Sequence, residues 1–119
     1  MLLALSHIHK KKIVHSNIDP DHVYVQLTPF GGDHFKLLEF DNARMAGTTT
    51  HPIFQNEVTR KQPFVAPEIA DTPLDAPKKP AVTTAVDIWS LGVLTFYLLT
   101  NCLPMNREMS NGPAETPSE

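Results

Sequence analysis

From Thr84 to Thr100 the chain reads TAVDIWSLGVLTFYLLT, a helix-length run with apolar side chains on nearly every face. A helix of this kind has no side to offer water, so it has to be the buried centre of a larger structure. Asp87, Ser90, Thr95 and Asn101 interrupt the run. A carboxylate at a bilayer centre would add about 2.5–3.5 kcal/mol to insertion, and less near a helix end. The membrane reading therefore ranks behind the buried-core reading, and no membrane partner is expected. With 119 residues there is room for one domain around this helix and not for two. Hydrophobic residues are 41% and charged residues 19%, a balance that predicts a packed core rather than a disordered chain.

The formal charge is −3 and the sole basic run is Lys10-Lys11-Lys12, so no broad positive surface is offered to nucleic acid. Leu2, Leu5 and Ile8 recur at helical spacing, which predicts a helix over 1–11 with the lysines at its C-terminal end, where carbonyl dipoles favour positive charge. Val23–Leu27 and Phe35–Leu38 flank Pro29, Gly31 and Gly32, which predicts a β-hairpin. Residues 42–83 show no sustained period and read as long irregular structure, and 106–119 read as a polar, disordered tail. The predicted fold class is α+β, mainly helical, with one short hairpin. A single cysteine, Cys102, and no leader at the start predict a cytoplasmic protein, with Cys102 a small core residue near the end of the long helix.

The order of elements is a helix, then IVHSNIDPDHVYV, KLLEFDNAR, FVAPEIA and VDIWSLGVLTFYLLTNCLP. This resembles the middle of the C-terminal lobe of a protein kinase over residues 1–105, with a catalytic loop at 13–25, an activation segment at 39–68 and the buried helix at 84–100. His15-Ser16-Asn17 stands where the family has His-Arg-Asp, Glu39-Phe40-Asp41 where it has Asp-Phe-Gly, and Ala66-Pro67-Glu68 matches its Ala-Pro-Glu. The resemblance implies structural duties for four residues. His15 and Phe40 would stack in the spine, Asp87 would hold the catalytic-loop backbone, and Glu68 would be a buried carboxylate awaiting an arginine. Tyr24 would floor an adenine pocket.

Phosphoryl transfer in this family uses a carboxylate base, a lysine beside the phosphate, and an asparagine and an aspartate on magnesium. The matching positions are Asn17, Asp19, His22 and Glu39, and all four are changed. Asn17 is a neutral amide and cannot take a proton from a hydroxyl at pH 7. Asp19 reverses a charge, turning an attraction of about 4 kcal/mol at 4 Å into a repulsion of similar size. His22 suits magnesium badly, and Glu39 keeps the metal-binding charge on a longer stem. Asp41 replaces a glycine and predicts a stiffer turn. Ser16 replaces the arginine that would receive a phosphate, so Thr48, Thr49, Thr50 and Thr59 read as polar loop residues.

The six histidines show no zinc-binding spacing. The expected function is that of a fragment of a protein kinase-like domain, catalytically inactive and serving as a binding or scaffolding module. A fragment of an active or weakly active ATP-dependent serine/threonine kinase is the alternative. No cofactor is assigned to the chain itself; ATP and magnesium are those of the family in a longer parent. The expected partners are proteins, including the parent's other kinase segments, whose absence would leave Leu91, Val93, Leu94, Phe96, Tyr97, Leu98 and Leu99 short of cover. Within the family, Phe64-Val65 and DIWSLGVLTFYLLT resemble the calmodulin-regulated and titin- or obscurin-like muscle kinases.

Overall fold

A computed structural model describes residues 1–50, 52–60 and 62–104; the tail expected at 106–119 lies outside the described residues. Helix α1 (Leu2–Lys10) leads into the two-residue strand β1 (Ile13–Val14), and a 3-10 turn (Pro20–His22) precedes β2 (Val23–Gln26) and β3 (His34–Leu37). After these come β4 (Arg44–Met45), a second 3-10 turn (Pro52–Gln55), the short helices α2 (Glu57–Arg60) and α3 (Pro67–Ala70), and the long helix α4 (Ala85–Thr100). The architecture is α+β.

Strands β2 and β3 pair antiparallel from Val23 opposite Leu37 to Gln26 opposite His34, and positive φ at Gly31 and Gly32 lets the connecting loop reverse. Strand β1 pairs antiparallel with β4, which brings the start of the irregular segment back beside residues 13–14. The stretch from 42 to 83 is thus less irregular than its composition predicts. Among its described residues are one strand, a 3-10 turn and two single-turn helices, all too short to show a period.

Helix α4 joins two apolar clusters. Val86 packs with Val14, Ala66, Ile69 and Val82, while Leu91 and Leu94 pack with Leu5 and Ile18. Its end is capped by Asn101 in the left-handed conformation (φ 55°), whose N–H donates to the Tyr97 carbonyl at 2.7 Å. Burial on all sides does not hold for this helix. Its buried positions are Val86, Asp87, Ser90, Leu91, Val93 and Leu94, one stripe at helical spacing, whereas Ile88, Phe96, Leu98 and Leu99 are exposed. The loop at 15–18, α1 and α3 cover only that stripe. Cys102 is also exposed rather than in the core, since it lies beyond the cap where the chain has left the stripe.

A large difference is expected between two leucines of the same helix. Leu94 is 2% exposed and Leu99 is 81% exposed. Leu94→Ala should cost about 2–5 kcal/mol, and Leu99→Ala should stay within about 0.5 kcal/mol, as read from urea denaturation midpoints.

Candidate functional site

The site is organised from below by Asp87 in the first turn of α4, where the helix dipole favours a carboxylate. Asp87 is fully buried. Its Oδ2 accepts from the His15 backbone N–H and from His9 Nε2, both at 2.8 Å, and its Oδ1 accepts from the Ser16 backbone N–H at 2.9 Å. An unpartnered carboxylate in this position would be prohibitive, and three donors compensate it. The contact fixes Ser16 in a left-handed conformation (φ 68°), unusual for a residue with a Cβ.

His15 is also fully buried. Its Nε2 donates to the Leu38 carbonyl at 2.8 Å and its Nδ1 accepts from the Asn17 backbone N–H at 3.2 Å, a pair of bonds that assigns the proton to Nε2. The ring meets Phe40 edge-on, with centroids 4.7 Å apart and planes at 71°. The imidazole thus connects the loop at 15–17 to the chain leaving β3.

Asn17 and Asp19 line a cleft of about 420 Å³ with Asp21, Thr59, Phe64 and Tyr97. Asp19 caps the first 3-10 turn: its Oδ1 accepts from the Asp21 N–H at 2.8 Å and the His22 N–H at 3.2 Å. His22 Nδ1 lies 2.9 Å from the same oxygen without a hydrogen bond to it. On the other side of the ring, His22 Nε2 lies 2.9 Å from Glu39 Oε2. Glu39 adopts a left-handed backbone (φ 57°) that turns the chain after β3. Asp41, which stands where the family has glycine, has no positive φ; the left-handed residue of this turn falls two positions earlier, at Glu39.

Asp19, His22 and Glu39 are therefore brought into one chain of contacts, with Asn17 near by on the cleft wall. Tyr24 stands apart on β2, 52% exposed and outside the cleft lining. Glu68 is exposed rather than buried, and among the described residues it has no ion-pair partner. It borders a separate apolar hollow of about 620 Å³ with Ile88, Trp89, Val93 and Phe96. The activation segment is tied to α4 by Trp89 Nε1, which donates to the Pro63 carbonyl at 3.3 Å, and by the Ser90 hydroxyl, 2.6 Å from the Phe64 carbonyl.

Magnesium needs several oxygens converging on one point at about 2.1 Å. Here an imidazole stands between the two carboxylates, with Asp19 and Glu39 at different ring nitrogens. Among the described residues no group of three or more His, Cys, Asp or Glu side chains is arranged to hold a metal ion. The residues present do not fit the ion.

A catalytic-loop backbone seated on a buried aspartate, a histidine edge-on to a phenylalanine and an activation segment anchored on a long helix define a protein kinase-type lobe. Residues 1–116 match the protein kinase domain family, and the chain belongs to it. Among its relatives, the muscle M-line assembly protein unc-89 of Caenorhabditis elegans is 32% identical over 111 residues, which is 93% of this chain and 1% of that protein. The serine/threonine-protein kinase SBK1 of Danio rerio is 32% identical over 116 residues, 96% of this chain and 26% of that kinase. The human serine/threonine-protein kinase D2 is 29% identical over 109 residues, 91% of this chain and 11% of that kinase. The chain thus spans 26% or less of the length of these three proteins. A muscle M-line protein among them accords with the resemblance to the muscle kinases. Among the described residues no helix is long and apolar enough to cross a membrane.

Sequence reasoning placed His9 on the first helix and missed its contact with Asp87. The signal was present: His9 lies four residues after buried Leu5, on the same face of α1. The contact of His22 with Glu39 was also missed, because 17 positions of chain and a hairpin separate them.

Proposed function

We propose that the chain is part of a pseudokinase-like module, cytoplasmic, that uses a protein kinase lobe to bind or scaffold other proteins and does not transfer phosphate. The observation that carries this reading is the imidazole of His22 lying between Asp19 and Glu39, at the positions where the family keeps its phosphate lysine and its magnesium ligands. Asn17 adds to it, because an amide on the cleft wall has no proton affinity to lend a substrate hydroxyl. The spine and frame contacts support a retained fold, which is what a binding module requires.

A second reading, an active or weakly active serine/threonine kinase, is favoured by the relatives named as such. Phosphotransfer by the full-length protein to a generic peptide, with ATP and either magnesium or manganese, separates the two. The expected result is a rate indistinguishable from that of Asn17→Ala. Robust transfer that Asn17→Ala abolishes would overturn the inactive reading.

A further inference from the structure

The cation that the fold family implies does not fit this site, and the reason lies in one side chain. His22 is held by its own backbone on both sides: its N–H donates to Asp19 Oδ1 at 3.2 Å and its carbonyl accepts from the Leu38 N–H at 2.9 Å. Between those anchors the imidazole is 18% exposed, with Asp19 Oδ1 at 2.9 Å on Nδ1 and Glu39 Oε2 at 2.9 Å on Nε2. The ring therefore stands between the two carboxylates, in the space where their oxygens would have to converge on one ion. A ligand set for a hard divalent cation needs the opposite arrangement, oxygens directed at a shared centre.

We propose that the His22 imidazole takes the place of the divalent cation, cross-linking the catalytic loop at Asp19 to the chain after β3 at Glu39 and closing this site to magnesium and manganese. This rests on the binding-module reading and supplies its mechanism: the two walls of the former metal site are held together by protein atoms and need no ion to be brought into register. The other charged group on the same turn is Asp21, whose backbone N–H also donates to Asp19 at 2.8 Å; that bond directs one more donor at the Asp19 carboxylate and leaves it less free to turn towards a metal.

Manganese serves as the probe, followed by electron paramagnetic resonance in titrations of the full-length protein. The wild type should show no saturable binding that depends on Glu39. His22→Asn removes the ring and should raise manganese affinity by about tenfold or more, and Glu39→Gln added to that variant should abolish the gain. Wild-type binding that Glu39→Gln eliminates would overturn the proposal, as would a folded His22→Asn protein that binds no better than wild type. The proposal does not depend on His22→Asn folding. The Glu39 side chain is 60% exposed, so Glu39→Gln leaves the core untouched, and it should shift the His22 ring signals in the NMR spectrum of the otherwise native protein. Unchanged ring signals would overturn the cross-link. Manganese binding through Glu39 without phosphotransfer would remove this inference and leave the binding-module reading standing. Phosphotransfer by a wild type that takes up no manganese at Glu39 would do the reverse.

Discussion

Asp87→Ala is expected to unfold the chain or bring it to the edge of unfolding. The carboxylate is fully buried and accepts from His9 Nε2, the His15 N–H and the Ser16 N–H. Removing one partner of such a buried network costs about 3–5 kcal/mol, because the groups left behind stay desolvated. A small domain has about 5–15 kcal/mol in all. The loss extends to the loop, since the left-handed Ser16, a conformation that costs about 1–3 kcal/mol, would no longer be held. Asp87→Asn keeps one acceptor oxygen and turns an NH2 towards backbone N–H donors, so it should fall between wild type and Asp87→Ala. Urea denaturation with an unchanged slope gives the comparison. A loss below about 1 kcal/mol for Asp87→Ala would show that the loop is held by something other than this carboxylate.

The second large effect is a gain. If the substituted positions are what silences phosphoryl transfer, Asn17→Asp, Asp19→Lys and His22→Asn combined in the full-length protein should raise transfer to a generic peptide by about 10²-fold or more. A positioned base alone is worth about 10²–10⁴-fold. The lysine replaces repulsion with attraction at the phosphate, and Glu39 already supplies a carboxylate for the metal. The readout is the initial rate with ATP and manganese, taken beside a circular dichroism spectrum that verifies the fold. A folded triple variant that stays inert would count against silencing at these positions.

The elements most legible in the sequence were those with a long apolar run or a clear alternation. Helix α4 follows from an apolar run, and the hairpin follows from alternating Val23, Tyr24 and Val25 with glycines at its turn. The short pieces between Asn42 and Thr83 were not legible, because four residues of helix are held by tertiary contacts and leave no periodic trace. Burial was harder still. Glu68 and Cys102 were read as buried and both are exposed, since composition records what a side chain prefers and says nothing of which neighbours arrive to cover it. At the site, the Asp19 and His22 contact is nearly local and readable as a capped turn. The partnership with Glu39 depends on where the chain emerges from β3, which is set by the hairpin register and by the His15 bond to Leu38.

The outward side of α4 leaves Leu98 63% and Leu99 81% exposed beside half-open Phe96. Greasy surface of this kind is what chaperones and quality-control proteases recognise. Any surface seated on this side would take that strip out of their reach.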